Sequence, residues 1–245
     1  MTVRAQEEGA DGPSGQEPGG SLARRWGPII AAGVVVLAGL GVALWLFLGS
    51  SSPVQLGPEG VPLQSGPALG SADSTASGAT VDGITCRTAA DQIVKYHIHT
   101  LVEIFVNGNP VHIPAGAGMP AGRLVEHLPG GVWMDNALNG CLYWLHVHTT
   151  DGIVHVEAPY KGTFTLGEFF DVWQQPLSTS QVGPARGRVV GFENGRQISG
   201  DPRALPLLNH AVIQLDVGSP VVSFRPMRFN VNDLCGSATQ SCAAG

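Results

Sequence analysis

Trp144-Leu145-His146-Val147-His148-Thr149-Thr150-Asp151-Gly152-Ile153-Val154-His155-Val156-Glu157 reads as two short strands joined by a turn. Polar and apolar residues alternate on both sides of Asp151-Gly152, the period of a half-buried β-strand. A two-residue turn at Asp151-Gly152 sets His148 opposite His155 and His146 opposite Glu157, all on one face. A four-residue loop, Thr149 to Gly152, shifts the pairing but keeps the face, and a three-residue loop breaks the alignment. Cross-strand neighbours on one face lie roughly 5 Å apart between Cβ atoms, so two of the three turns gather three imidazoles and a carboxylate.

A second stretch, Tyr96-His97-Ile98-His99-Thr100, repeats the device. Residues two apart on a strand share a face, so His97 and His99 present two imidazoles side by side and complete the group if the strands are neighbours. Five of the chain's 8 histidines thus fall in two stretches. Imidazole is the commonest protein ligand for transition metals. His97, His99, His146, His148 and His155, with Glu157 as ligand or orienting partner, predict a site for zinc or copper, with iron or manganese also compatible. Nitrogen donors exclude calcium, and the lack of a Cys beside a His disfavours blue copper. The competing reading is a metal-free polar network in which each buried imidazole finds partners for both nitrogens. His112, beside an Asn-Gly turn, and His127, before Pro129-Gly130-Gly131, read as surface or loop residues, and His210 is left open.

Strand signals dominate elsewhere. His99 to Val106 leads through Asn107-Gly108 into Val111 to Pro114, and Arg188 to Glu193 leads through Asn194-Gly195 into Arg196 to Ser199. Asn-Gly between apolar runs is a strong hairpin signal, because both central residues accept positive φ. His210 to Val217 is a further strand. Thr165-Leu166-Gly167-Glu168 has capping-box spacing, with Phe164 and Phe169 placed to staple across it, and predicts a helix that stops near Pro176. A weaker helix is expected from Ala89 to Tyr96. The fold class is α+β, mostly β.

Residues 1–26 are polar and rich in Gly, Glu and Gln, and read as a disordered cytoplasmic tail. Residues 27–49 carry no charge, and at ~1.5 Å per residue they span a hydrocarbon core of ~30 Å as a single transmembrane helix. Arg24 and Arg25 abut its start and the next basic residue is Arg87, so the N-terminus is expected inside and the rest of the chain outside the cytoplasm. A cleaved signal peptide is the alternative, against which stand the length of the apolar run and the long tail before it. Residues 50–80, rich in Ser, Gly, Pro and Ala, read as a flexible linker. A compact domain is expected over 81–230, followed by a short tail, 231–245.

All four cysteines, Cys86, Cys141, Cys235 and Cys242, follow the apolar run, where disulfides persist. Of three connectivities, Cys86–Cys141 with Cys235–Cys242 is favoured, since the first ties the segment before His97 to that before His146. A net charge of -6 with scattered Lys and Arg argues against a nucleic-acid partner. The membrane is the one partner read from the sequence, and no protein partner is indicated.

His97-Ile98-His99, Glu103 and Gly108 resemble the first cupin motif, and Gly108 with Pro114-Ala115-Gly116 echoes the second; there the fourth ligand position is Met119 and the later Asn is Arg123. That resemblance implies a metal-dependent enzyme. From Cys86 to Gly218 the chain is similar to a group of uncharacterised bacterial secreted or membrane-anchored proteins. The shared stretches are Cys86 upstream of Tyr96-His-Ile-His99, Ile104-Phe-Val-Asn-Gly108, Cys141-Leu-Tyr-Trp-Leu-His-Val-His148, Asp151-Gly-Ile-Val-His-Val-Glu157 and Phe164-Thr-Leu-Gly-Glu-Phe-Phe-Asp-Val-Trp173. This second likeness implies a shared fold and shared histidines, with no activity attached. The leading expectation is therefore a membrane-anchored, extracytoplasmic metal-binding domain. The alternatives are an enzyme using the same ion and a metal-free envelope interaction module. No Gly-x-Ser-x-Gly motif suggests a serine hydrolase.

Overall fold

The computed structural model describes residues 54–120, 122–137 and 139–227. The expected cytoplasmic tail, the spanning segment and the Cys235–Cys242 pair lie outside the described residues.

Among the described residues, fourteen strands and one α-helix follow in order: β1 (Cys86–Arg87), β2 (Tyr96–Val106), β3 (Asn109–Val111), β4 (Arg123–Leu128), β5 (Gly131–Asn136), β6 (Leu142–Tyr143), β7 (Leu145–His146), β8 (Ile153–Ala158), α1 (Leu166–Trp173), β9 (Leu177–Ser178), β10 (Gln181–Val182), β11 (Ala185–Arg186), β12 (Val189–Glu193), β13 (Arg196–Gln197) and β14 (Val212–Val217). The central sheet has the order β13-β12-β14-β2-β8-β7, with β3 added to the end of β2. β2 pairs antiparallel with β8 and parallel with β14. The mostly β reading holds.

Alternation along the central strands gives the sheet two different faces. Ile98, Val102 and Ile104 of β2, Val154 and Val156 of β8 and Ile213 and Leu215 of β14 join one large apolar core with Leu166, Phe169, Phe170 and Trp173 of α1. The opposite face carries His97, His99, His155 and Glu157, and beyond them a small cluster of Val61, Leu101, Ile153 and Val212. The parity rule of the pleat therefore sends every second residue into the large core and the others to the face that carries the histidines.

Both Asn-Gly turns form as expected. Asn107 and Gly108 have φ of 50° and 78°, and Val106 pairs with Asn109 across them. Asn194 has φ 49° and Gly195 φ 86°, between the paired Glu193 and Arg196. The capping box is present: the Thr165 hydroxyl accepts from the Glu168 N–H, and the Glu168 carboxylate accepts from the Thr165 N–H at 2.6 Å. The helix ends at Trp173, with Gln174 in the left-handed region as its cap.

Three expectations are corrected. From residue 54 on, the Ser/Gly/Pro-rich segment is no tether: Val61 and Leu69 are buried, Leu69 bonds the His112 carbonyl and Ser74 the Trp173 carbonyl. A few apolar anchors suffice to fix it, whatever its average composition. The stretch from Ala89 is not helical; a turn closed by Asp91 N–H to the Thr88 carbonyl leads into β2, whose pairing with β8 starts at Tyr96. His210 sits at φ 59° in a turn, and the strand starts at Val212.

Candidate metal centre

β8 lies between β2 and β7, so its polar-face residues meet both neighbours. His155 is opposite His99 on one side and His146 on the other, and Glu157 is opposite His97. The pairing of His146 with His155 is the register of the longer, four-residue loop, and the shared face survives as the alternation argument requires. The Cys86–Cys141 disulfide is present, beside the β1–β6 pairing of Cys86 with Tyr143, and ties the approach to β2 to the approach to β7.

All five predicted histidines and Glu157 come together. Ligand atoms of His146, His148, His155 and Glu157 lie within 4.8 Å of one another, and so do those of His97, His99 and His155. These groups can hold a metal ion. His112 instead puts its Nδ1 3.0 Å from the Gly66 carbonyl, and His127 is exposed on β4. Glu103, the cupin-like candidate, pairs with Gln214 in register and lines a different cavity with Pro62 and Arg225.

The protonation of two rings follows from their partners. A carbonyl oxygen only accepts, so the His146 Nδ1, 2.7 Å from the Tyr143 carbonyl, must donate a proton. His148 Nδ1 does the same to the Met134 carbonyl at 2.6 Å. In a neutral imidazole the other nitrogen is then a bare lone pair. Those two Nε2 atoms are 2.9 Å apart. Two lone pairs at that distance repel unless a cation, whether proton or metal, sits with them. Burial lowers His146 to about 4 and His148 well below the ordinary 6.5, so a proton is a poor candidate at neutral pH. Tetrahedral zinc with bonds of ~2.0 Å holds its ligand atoms about 3.3 Å apart, between the 2.9 Å of these two nitrogens and the 3.9 Å from His146 Nε2 to Glu157 Oε1.

The remaining donors are aimed by partners of their own. The two Glu59 oxygens lie 3.0 and 3.2 Å from His155 Nε2. His155 Nδ1 then faces His97 Nε2 at 3.5 Å and Glu157 Oε1 at 3.8 Å. Gln92 donates to Glu157 Oε2 at 2.6 Å, leaving Oε1 3.3 Å from His97 Nε2 and 3.9 Å from His146 Nε2. Burial raises Glu157, against the pull of His97 and Gln92, and pushes Glu59 up to about 8. Burial likewise lowers His97, His99 and His155. Trp133 of β5 stacks on His148 with ring centroids 4.0 Å apart and planes at 8°.

Glu59, Gln92 and Trp133 were not singled out in the sequence. Glu59 sits in a segment whose composition hid it, and nothing local marks Gln92 or Trp133 as neighbours of the histidines. A cavity of about 400 Å³ opens on the cluster, with Leu128, Trp133 and Asn136 in its wall. No protein-family model, curated protein or solved structure matches the chain, so the centre is read from its own geometry.

Proposed function

We propose that this chain is a membrane-tethered, extracytoplasmic protein whose β domain binds a transition metal ion, zinc or copper, through His146, His148, His155 and Glu157, with His97 beside them. The observation that carries the reading is the 2.9 Å approach of two Nε2 atoms whose Nδ1 partners are both carbonyls. Three imidazoles and one carboxylate suit zinc or copper in softness and geometry. The tether is supported by the uncharged run 27–49 and by Arg24 and Arg25 before it. The test is the metal content of the full-length chain purified in detergent without chelator. At least about one equivalent is expected, reduced by the double substitution His146→Ala/His148→Ala. Less than about half an equivalent in the wild-type chain, after zinc and copper are both supplied, overturns the reading.

The cavity beside the cluster favours a second reading, an enzyme that uses the ion to activate a water, since catalytic metal sites keep one position open. Azide added to cobalt-substituted protein distinguishes the two. A shifted visible spectrum supports an open position, and an unchanged one supports a shell closed by side chains.

A further inference from the structure

The geometry points to a second cation in the same basin, on the far side of the His155 ring, bound by His99 Nε2, the Glu59 carboxylate and His155 Nε2, so that His155 bridges two ions as an imidazolate. This rests on the first ion lying among His146, His148, His155 and Glu157.

Three observations converge on that position. His99 is 1% exposed, and among the described residues its Nε2 has no hydrogen-bond partner although it faces Glu59 Oε1 at 4.0 Å. A buried nitrogen without a partner is an uncommon defect in a well-packed domain, and a metal ion is one of its recognised remedies. Glu59 in turn lies against a second buried carboxyl, Asp151, and among the described residues no Lys or Arg forms an ion pair with either. Two carboxyl groups buried together with no basic residue call for a cation or a retained proton. Finally, the two nitrogens of His155 face two separate sets of donors. Nδ1 looks toward His97 and Glu157, and Nε2 toward Glu59.

An imidazole can serve both sets only by giving up its remaining proton. As the second ion binds, the Nε2–H proton leaves to solvent and its electron pair goes to the metal, so loading releases one proton from His155. Two bonds of ~2.0 Å and the width of the ring set the ions about 6 Å apart. The bonds from His155 Nε2 and His99 Nε2 replace a hydrogen bond and an unsatisfied nitrogen, respectively. If only one ion binds, Glu59 instead orients the His155 ring as a hydrogen-bond acceptor.

The test uses the full chain in detergent, stripped with chelator, reloaded with zinc and passed over a desalting column before elemental analysis. About two equivalents are expected in the wild-type chain and about one in His99→Leu and in Glu59→Gln. The Gln side chain still offers His155 Nε2 an acceptor oxygen, so it spares the first ion; being isosteric, it also serves if His99→Leu does not fold. Copper(II) loading adds a signature that a structural role would not produce. Two copper ions on one imidazolate couple, so the resonance signal per copper falls between one and two equivalents. One equivalent in the wild-type chain overturns the bridge and leaves the first site standing. None overturns both, and two equivalents retained in both variants overturns this placement.

Discussion

Glu59 and His155 are separated by 96 positions in the chain, yet their carboxylate and imidazole meet at 3.0 Å beneath the central sheet. The contact places an outlying segment in the candidate metal centre and fixes which His155 nitrogen faces the other imidazoles. Outer partners of this kind hold ligand rings in one orientation and one tautomer.

Glu59→Ala is therefore expected to weaken zinc retention by about 10- to 100-fold, the usual cost of losing such a partner. Competition against a chromogenic chelator measures it. An affinity equal to that of the wild-type chain would show that His155 needs no support from residues 54–64.

The metal-free chain should lose stability as pH falls from about 6 to about 5. Burial holds His97, His99, His146, His148 and His155 below the ordinary imidazole value. Unfolding frees them to take up protons near pH 6.5, and a group whose folded pKa is depressed contributes stability that is lost as pH falls. Glu59, Asp151 and Glu157 are raised and act in the opposite sense. Below about pH 6 the unfolded imidazoles are mostly protonated, so the protons five of them take up outnumber those the three buried carboxyls retain, and the imidazoles set the sign. Thermal melts in chelator across that range check it, and a melting temperature that stays level or rises contradicts it. Zinc should raise the melting temperature most at the upper end of the range, where protons compete least for the ligands.

Gly118→Ala should damage the centre from outside it. Gly118 has φ +84°, and a Cβ there would come within 2.2 Å of the Leu145 carbonyl oxygen and 2.6 Å of the His146 Cα. The loop cannot keep its bond from the Tyr143 N–H to the Gly118 carbonyl and also make room. A loss of about 1–3 kcal/mol is expected, with weakened zinc binding. Gly122→Ala is the control, because its φ of +91° carries the same strain but nothing among the described residues lies within 4 Å of the added carbon. Equal effects on zinc affinity in the two variants would contradict the account.

Replacing Cys86 and Cys141 by Ser opens a loop spanning a sequence separation of 55. Chain entropy alone puts the cost at about 4 kcal/mol. A lower melting temperature together with weaker zinc retention is expected, because the bridge joins the approaches to β2 and β7. A destabilised chain that binds zinc as tightly as before would make the bridge a global staple only.

The sequence made the polar face of β2, β7 and β8 legible because two-residue alternation is a local rule, visible in His97/His99 and His146/His148 without knowing the neighbours. The Asn107-Gly108 and Asn194-Gly195 turns and the Thr165 cap were legible for the same reason. Register was not, since His146 pairs with His155 only under the longer of two face-preserving loops. Glu59 was hidden because its role comes from packing across the sheet, and composition averaged over residues 50–80 dilutes Val61 and Leu69, the side chains that anchor the segment. Gln92 was misplaced for a similar reason: its segment has helix-forming residues, but pairing of Tyr96 with Ala158 draws the chain into the sheet.

The most direct measurement is an anomalous-scattering map of zinc-loaded crystals, recorded on both sides of the zinc absorption edge. A peak is expected about 2.0–2.2 Å from both His146 Nε2 and His148 Nε2, with His155 Nδ1 or Glu157 Oε1 in the same shell. Zinc-loaded crystals with no peak between those two rings, or with the only peak at a surface histidine such as His127, would contradict it.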